Sequence, residues 1–96
     1  MTIEIKRNAE EVVIEIVGRL DTNTAPALDR TISEDISDSQ NLVLDLKGLE
    51  YISSAGLRVL LTAHKRMKGA MKLTGVSELV TEVLEMTGFA DVWVIE

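Results

Sequence analysis

A chain of 96 residues has the length for one compact domain and not for two. With 46% hydrophobic residues and no cysteine, a core needs no disulfides, and cysteine-based zinc sites, thiol catalysis and iron–sulfur ligation are excluded. A net charge of −6 argues against nucleic-acid binding, which rests on neutralising phosphates with Lys and Arg, and Tyr51, Phe89 and Trp93 are too scattered for base stacking.

Ile3 and Ile5 alternate with Glu4 and Lys6, which is strand periodicity and not the apolar run of a signal peptide. Val12, Ile14 and Ile16 repeat the two-residue period, and the polar stretch 8–11 between the runs predicts a hairpin. Thr24, a good N-cap, and Pro26, tolerated in a first turn, precede Leu28, Ile32 and Ile36 at helical spacing. The nearly continuous apolar run 42–46 predicts a central strand covered on both faces. A loop over 47–50 and two serines then lead into a helix over about 55–67. Leu57, Val59, Leu60, Leu61, Ala63 and Met67 form its apolar face. Lys65, Arg66 and Lys68 suit its dipole, and Gly69 is the expected C′ residue.

Residues 71–74 predict a short strand. Ser77 predicts the cap of a third helix carrying Leu79, Val80, Val83, Leu84 and Met86, stopped by Gly88, and 92–95 a closing strand. The order ββαβαβα, then β, implies one α/β domain over residues 1–96. Its sheet is mixed and mostly parallel, with an N-terminal antiparallel hairpin and helices packed on it. No stretch approaches the roughly 20 apolar residues that span a bilayer. The expectation is an acidic cytoplasmic protein without membrane insertion.

The segment Tyr51-Ile52-Ser53-Ser54-Ala55-Gly56 carries the chemistry. Ser53 or Ser54 can be simply an N-cap, its oxygen accepting from an orphan helix N–H. Ala55-Gly56 is less well explained that way, since a helical Gly costs up to roughly 1 kcal/mol against Ala. Small residues there would leave the hydroxyl and the helix N-terminus open to a partner.

Asp45-Leu46-x-x-Leu49-x-Tyr51-Ile52-Ser53-Ser54-Ala55-Gly56-Leu57-Arg58 resembles the signature of STAS domains, the sulfate-transporter and anti-sigma-factor-antagonist group. Within that group it is similar to the bacterial anti-sigma-factor antagonists. Gly18-Arg19-Leu20-Asp21 with Thr24-Ala25 resembles their turn into the first helix, and the resemblance covers essentially the whole chain. It implies a protein that performs no catalysis. The unphosphorylated form binds a serine-kinase anti-sigma factor and releases a sigma factor. Phosphorylation two positions before the helix Gly, at Ser54, ends binding, and a PP2C-type phosphatase reverses it. Relatives often carry Asp where this chain has Ser53, which is the second acceptor candidate.

The resemblance also implies partner contacts at Asp21, Asn23, Thr24, Ser53, Gly56, Leu57 and Arg58. Plain turn, cap, core or solvated roles stand beside each of these. An adaptor in another partner-switching pathway, in secretion or signalling, or a cytoplasmic transporter subunit is the alternative. On physical grounds a phosphate adds about −1.5 to −2 charges at a helix N-terminus, where it is compatible with folding and alters recognition instead.

No cofactor or metal is expected, because His64 is the only histidine and there is no cysteine to join it. A triad of Ser54, His64 and Asp21 fails on distance, since ten helical residues separate the first two by roughly 15 Å. Glu34, Asp35 and Asp38 read as a solvated acidic patch at a helix C-terminus.

Overall fold

The computed structural model describes residues 1–37 and 40–96, so Asp38 lies outside the described residues. Strands β1 (Thr2–Arg7) and β2 (Glu11–Leu20) form the expected antiparallel hairpin, with Arg7 opposite Val12 and Ile3 opposite Ile16. Helix α1 (Ala25–Asp35) leads to β3 (Asn41–Asp45), parallel to β2. Then come β4 (Leu49–Ile52), helix α2 (Ser54–Arg66), β5 (Met71–Thr74), helix α3 (Glu78–Met86) and β6 (Val94–Ile95). The main sheet runs β1-β2-β3-β5-β6, and each parallel neighbour is reached through a helix, as parallel pairing requires.

Strand β4 is a departure from the expected loop. It pairs in parallel with the far end of β2, Arg19 opposite Tyr51 and Leu20 opposite Ile52, after a register shift at Gly18/Arg19. Its four residues bury Leu49 and Ile52 and expose Glu50 and Tyr51. That pattern has neither a period of two nor a continuous apolar run, so it carries no strand signal. The closing strand is also shorter than 92–95, because Trp93 turns inward and only Val94 and Ile95 pair with β5.

All three helices contribute to one core. Val12, Ile14 and Ile16 of β2, Leu42 and Leu44 of β3, and Met71 and Leu73 of β5 meet Leu28, Ile32, Leu60, Ala63, Val80 and Leu84 there. The other face of the sheet carries Glu15, Asp45, Lys72 and Thr74, so β3 is covered by helices on one face and not on both. Val43 on that face is only 5% exposed and stands apart from the main core. Its strand neighbours Val13 and Lys72 flank it on either side. Parallel strands usually need helices on both faces. Here this face carries the Lys6–Glu15 ion pair at 2.8 Å and the Lys72–Glu96 pair at 3.4 Å.

Helix ends follow local chemistry. Ser77 caps α3 by accepting from the Val80 N–H at 3.2 Å, and Gly88 takes the left-handed C′ position at φ +79°. At the end of α2 the C′ residue is Lys68 (φ +54°), with Gly69 one position later at φ +85°. The Lys68 N–H donates to Lys65 C=O and the Gly69 N–H to His64 C=O, both at 3.1 Å, closing a Schellman turn. The carbonyls at the end of α1 are satisfied from outside the helix. Arg66 donates to Ile36 C=O at 2.7 Å and to Ser33 C=O at 3.3 Å, while Arg7 donates to Asp35 C=O at 2.8 Å. Arg66 therefore links the C-terminal ends of α1 and α2. Glu34 and Asp35 are exposed at that end of α1.

Candidate functional site

Parallel pairing of β2 with β4 brings their C-terminal ends together. The Ser53 N–H donates to Leu20 C=O at 2.9 Å, so the turn that follows β2 and the turn that opens α2 lie side by side. Asp21 and Ser53 each follow directly on that pairing.

The two serines are not equivalent. Ser53 has extended backbone (φ −98°, ψ 175°) and is the N-cap: its Oγ accepts from the Gly56 N–H at 3.3 Å and its carbonyl from the Leu57 N–H at 2.9 Å. Ser54 is the first helical residue and is exposed. Among the described residues its hydroxyl has no partner, and neither its own N–H nor that of Ala55 finds an acceptor. Two free amides at the positive end of a 13-residue helix thus adjoin an exposed hydroxyl.

Gly56 has a reason other than openness. A Cβ at this position would come within 2.7 Å of Leu20 Cγ, 2.9 Å of Leu20 O and 3.1 Å of Ile52 Cγ1. The glycine lets the first turn of α2 sit directly on the paired ends of β2 and β4. It faces the interior, as does Leu57, which is 4% exposed and belongs to the core. Gly56 and Leu57, two of the expected partner contacts, thus have a packing role within this chain. Arg58, one helical turn beyond Ser54, is exposed and has no ion-pair partner among the described residues.

The preceding turn is built by Asp21. Its Oδ1 accepts from the Asn23 N–H at 3.0 Å and the Thr24 N–H at 3.1 Å. Burial pushes the Asp21 pKa up, but these two N–H donors, the Thr24 hydroxyl and the Arg19 charge outweigh it and hold the carboxyl below its ordinary value. Thr24 does not cap α1 with its side chain. Its hydroxyl is committed instead to the turn, accepting from the Asp21 N–H and donating to Arg19 C=O, both at 2.8 Å. Asn23 is exposed at the tip. The structure thus assembles Asp21, Asn23, Thr24, Ser53, Ser54 and Arg58 at one end of the molecule. Asp21 and Thr24 serve there as scaffold.

No signal in the sequence shows that Arg19 stacks on Tyr51 at this surface. The Arg19 guanidinium lies 4.3 Å from the centre of the Tyr51 ring, and its Nε is 3.9 Å from Asp21 Oδ2. Tyr51 is 37% exposed, and an exposed Arg–Tyr stack is the side-chain chemistry that anchors protein interfaces. The cue was a cross-strand pair, invisible while β4 was read as loop.

His64 takes no part. It meets Trp93 edge-on at 6.1 Å between ring centres, on the last turns of α2, and the Asp21 carboxylate is used by its own turn. Hence no triad forms with Ser54. No group of three or more metal-binding side chains occurs among the described residues, and no described helix is long and apolar enough to cross a membrane. Two surface hollows of about 310 and 350 Å³ are lined by other residues, among them Glu11, Met71 and Lys72 in one and Val17 and Lys47 in the other.

The family model of the STAS domain matches residues 2–96. The chain belongs to the STAS domain family. This STAS domain is similar to the anti-sigma-B factor antagonist of Bacillus subtilis, 27% identical over 95 residues, which are 96% of this chain and 87% of that relative. Its fold matches the crystal structure of an anti-sigma factor antagonist from Mycobacterium paratuberculosis with a TM-score of 0.86 at 24% identity, covering 98% of this chain and 83% of that one. The anti-sigma factor antagonist SpoIIAA in its unphosphorylated form gives a TM-score of 0.82 at 19% identity, over 99% of this chain and 88% of that one. The Bacillus cell fate determinant SpoIIAA in its phosphorylated form gives 0.73 at 18%, over 99% and 91%.

Proposed function

We propose that this STAS domain is an anti-sigma factor antagonist that works by reversible phosphorylation of Ser54. Unphosphorylated, it binds a serine-kinase anti-sigma factor in the cytoplasm and so releases a sigma factor. Phosphorylated, it lets go. The observation that carries the reading is the division of labour between the serines: Ser53 Oγ is used as the helix cap, and Ser54 Oγ is exposed with no partner among the described residues. The names of the relatives supply the partner class, and SpoIIAA, solved in both forms, supplies the precedent for modification.

The chain catalyses nothing in this scheme. Within the kinase complex, Ser54 Oγ attacks the γ-phosphorus of a nucleoside triphosphate. The bond to the bridging oxygen breaks, the diphosphate leaves, and the hydroxyl proton passes to a base of the kinase. A PP2C-type phosphatase reverses the change: water attacks the phosphorus, the serine oxygen leaves and is protonated, and inorganic phosphate is released. At the first position of α2 the phosphate meets the free Ser54 and Ala55 amides, so the domain stays folded while its recognition surface changes sign.

Phosphotransfer from the anti-sigma kinase of the same genome, with Ser53→Ala and Ser54→Ala compared, tests this. Labelling should survive in Ser53→Ala and vanish in Ser54→Ala. Loss of label in Ser53→Ala alone would move the acceptor to Ser53 and remove the reading. In calorimetry, the phosphorylated domain should bind the kinase at least tenfold more weakly than the unphosphorylated one.

A further inference from the structure

We propose that Arg58 captures the Ser54 phosphate within the same molecule, and that this capture withdraws from the partner a positive charge on which binding depends. This deepens the phosphorylation reading and rests on it. Ser54 and Arg58 are both exposed on α2 at a spacing of i and i+4, where side chains are neighbours on a helix surface. The order is the favourable one, with the anion N-terminal to the cation.

Arg58 is available for this role because it makes no ion pair among the described residues. The other guanidinium near this end, Arg19, is already placed over Tyr51 and beside Asp21. Arg66 is tied to carbonyls at the far end of α2. Arg58 therefore supplies an unshared cation one turn from the acceptor oxygen, and a planar guanidinium can hold two phosphate oxygens at once.

Before modification the exposed corner formed by Ser54 and Arg58 carries one positive charge, free to meet a carboxylate of the partner. With a phosphate of about −1.5 to −2, the same corner becomes net negative by about half to one charge. The partner then loses an attraction and meets a repulsion together. Blocking by bulk alone would need no arginine, so the residue separates the two mechanisms.

The test uses the full chain with phosphoserine encoded at position 54, which needs no kinase. Phosphorus NMR titration of this protein is compared with its Arg58→Gln and Arg58→Lys variants. Pairing favours the dianion, so the second phosphate pKa, ordinarily near 6, should lie lower with Arg58 in place than in the Arg58→Gln variant by about 0.3 unit or more. Lysine should restore part of the shift, and added salt should shrink it. Equal values with arginine and glutamine would overturn the capture.

Binding of the anti-sigma kinase by the phosphorylated and unphosphorylated forms tests the consequence. The ratio of the two dissociation constants should fall about two- to fivefold in Arg58→Gln, chiefly through weaker binding of the unphosphorylated form. An unchanged ratio would overturn the switching role. Absence of kinase labelling at Ser54 would instead overturn the phosphorylation reading, while the NMR comparison still reports on the pair.

Discussion

Replacing Gly56 by alanine sets two effects of opposite sign against each other at the root of the site. Alanine is the better helix former by up to about 1 kcal/mol, so on an open helix the change would stabilise. Here the new methyl would stand 2.7 Å from Leu20 Cγ, 2.9 Å from the Leu20 carbonyl oxygen and 3.1 Å from Ile52 Cγ1. A side-chain tip can move aside, but the Leu20 carbonyl is fixed by the hydrogen bond it accepts from the Ser53 N–H. Overpacking costs about 1–3 kcal/mol, and a fixed carbonyl at 2.9 Å places this case in the upper part, about 2–3 kcal/mol, so after the helix gain the net loss is about 1–2 kcal/mol. For a domain of this size that lowers Tm by about 5–10 °C. Gly88→Ala is the control, because its Cβ would meet nothing within 4 Å and its φ of +79° alone is penalised, by about 1 kcal/mol. Thermal and urea unfolding followed by circular dichroism measures both. A Gly56→Ala protein as stable as the parent, or more so, would refute the close-approach account and return Gly56 to the surface role first suggested by its sequence.

The Ser53 cap predicts that Ser53→Ala loses about 1 kcal/mol in urea unfolding, whereas Ser54→Ala stays within about 0.5 kcal/mol of the parent. Lys68→Gly removes a left-handed non-glycine residue at φ +54° and should raise Tm by about 3–5 °C in calorimetry, corresponding to about 0.5–1 kcal/mol. Arg66→Ala leaves the Ile36 and Ser33 carbonyls without their guanidinium donors and should cost about 1–2 kcal/mol. Arg66→Met should recover only the packing share, as read by unfolding at matched pH. Asp21 titrates below its ordinary value in the folded chain, so its stabilisation is complete above the unfolded value of about 3.9 and is lost as pH falls through the folded value. A Tm profile from pH 6 to pH 2.5 should therefore fall less steeply below pH 4 in Asp21→Asn than in the parent.

What was legible in the sequence follows from how local each signal is. The hairpin, the three helices and the Ser77 and Gly88 caps rest on contacts within a few residues, and all are present. Strand β4 was not legible, because its pairing partner is some thirty residues away and its Leu-Glu-Tyr-Ile pattern belongs to no period. The same gap hid the Arg19–Tyr51 stack. Continuous apolarity in β3 suggests two helical layers, but the face carrying Val43 also carries Glu15, Asp45 and Lys72 and has no described helix on it. Thr24 sits at the right position for a cap, and the Asp21 turn draws its hydroxyl away. Gly69 was off by one: the left-handed C′ position fell to a lysine, which a propensity argument disfavours.

The serine pair shows why one residue could not do both jobs. Ser53 Oγ is half-buried and already accepts from the Gly56 amide, so a kinase would have to draw it away from the start of α2 to reach it. That start is packed against Leu20 and Ile52 through Gly56, and a loosened first turn would disturb the core under it. An acceptor one residue later, as proposed for Ser54, would leave the cap intact and place the new charge next to the Ser54 and Ala55 amides, which have no acceptor among the described residues. The helix dipole would then favour the modified state, and Arg58 stands four residues along the same helix, where side chains are neighbours. In the proposed switch a kinase and a phosphatase would therefore act on a folded surface in both directions, and the signal would be carried by charge at a helix end without refolding of the domain.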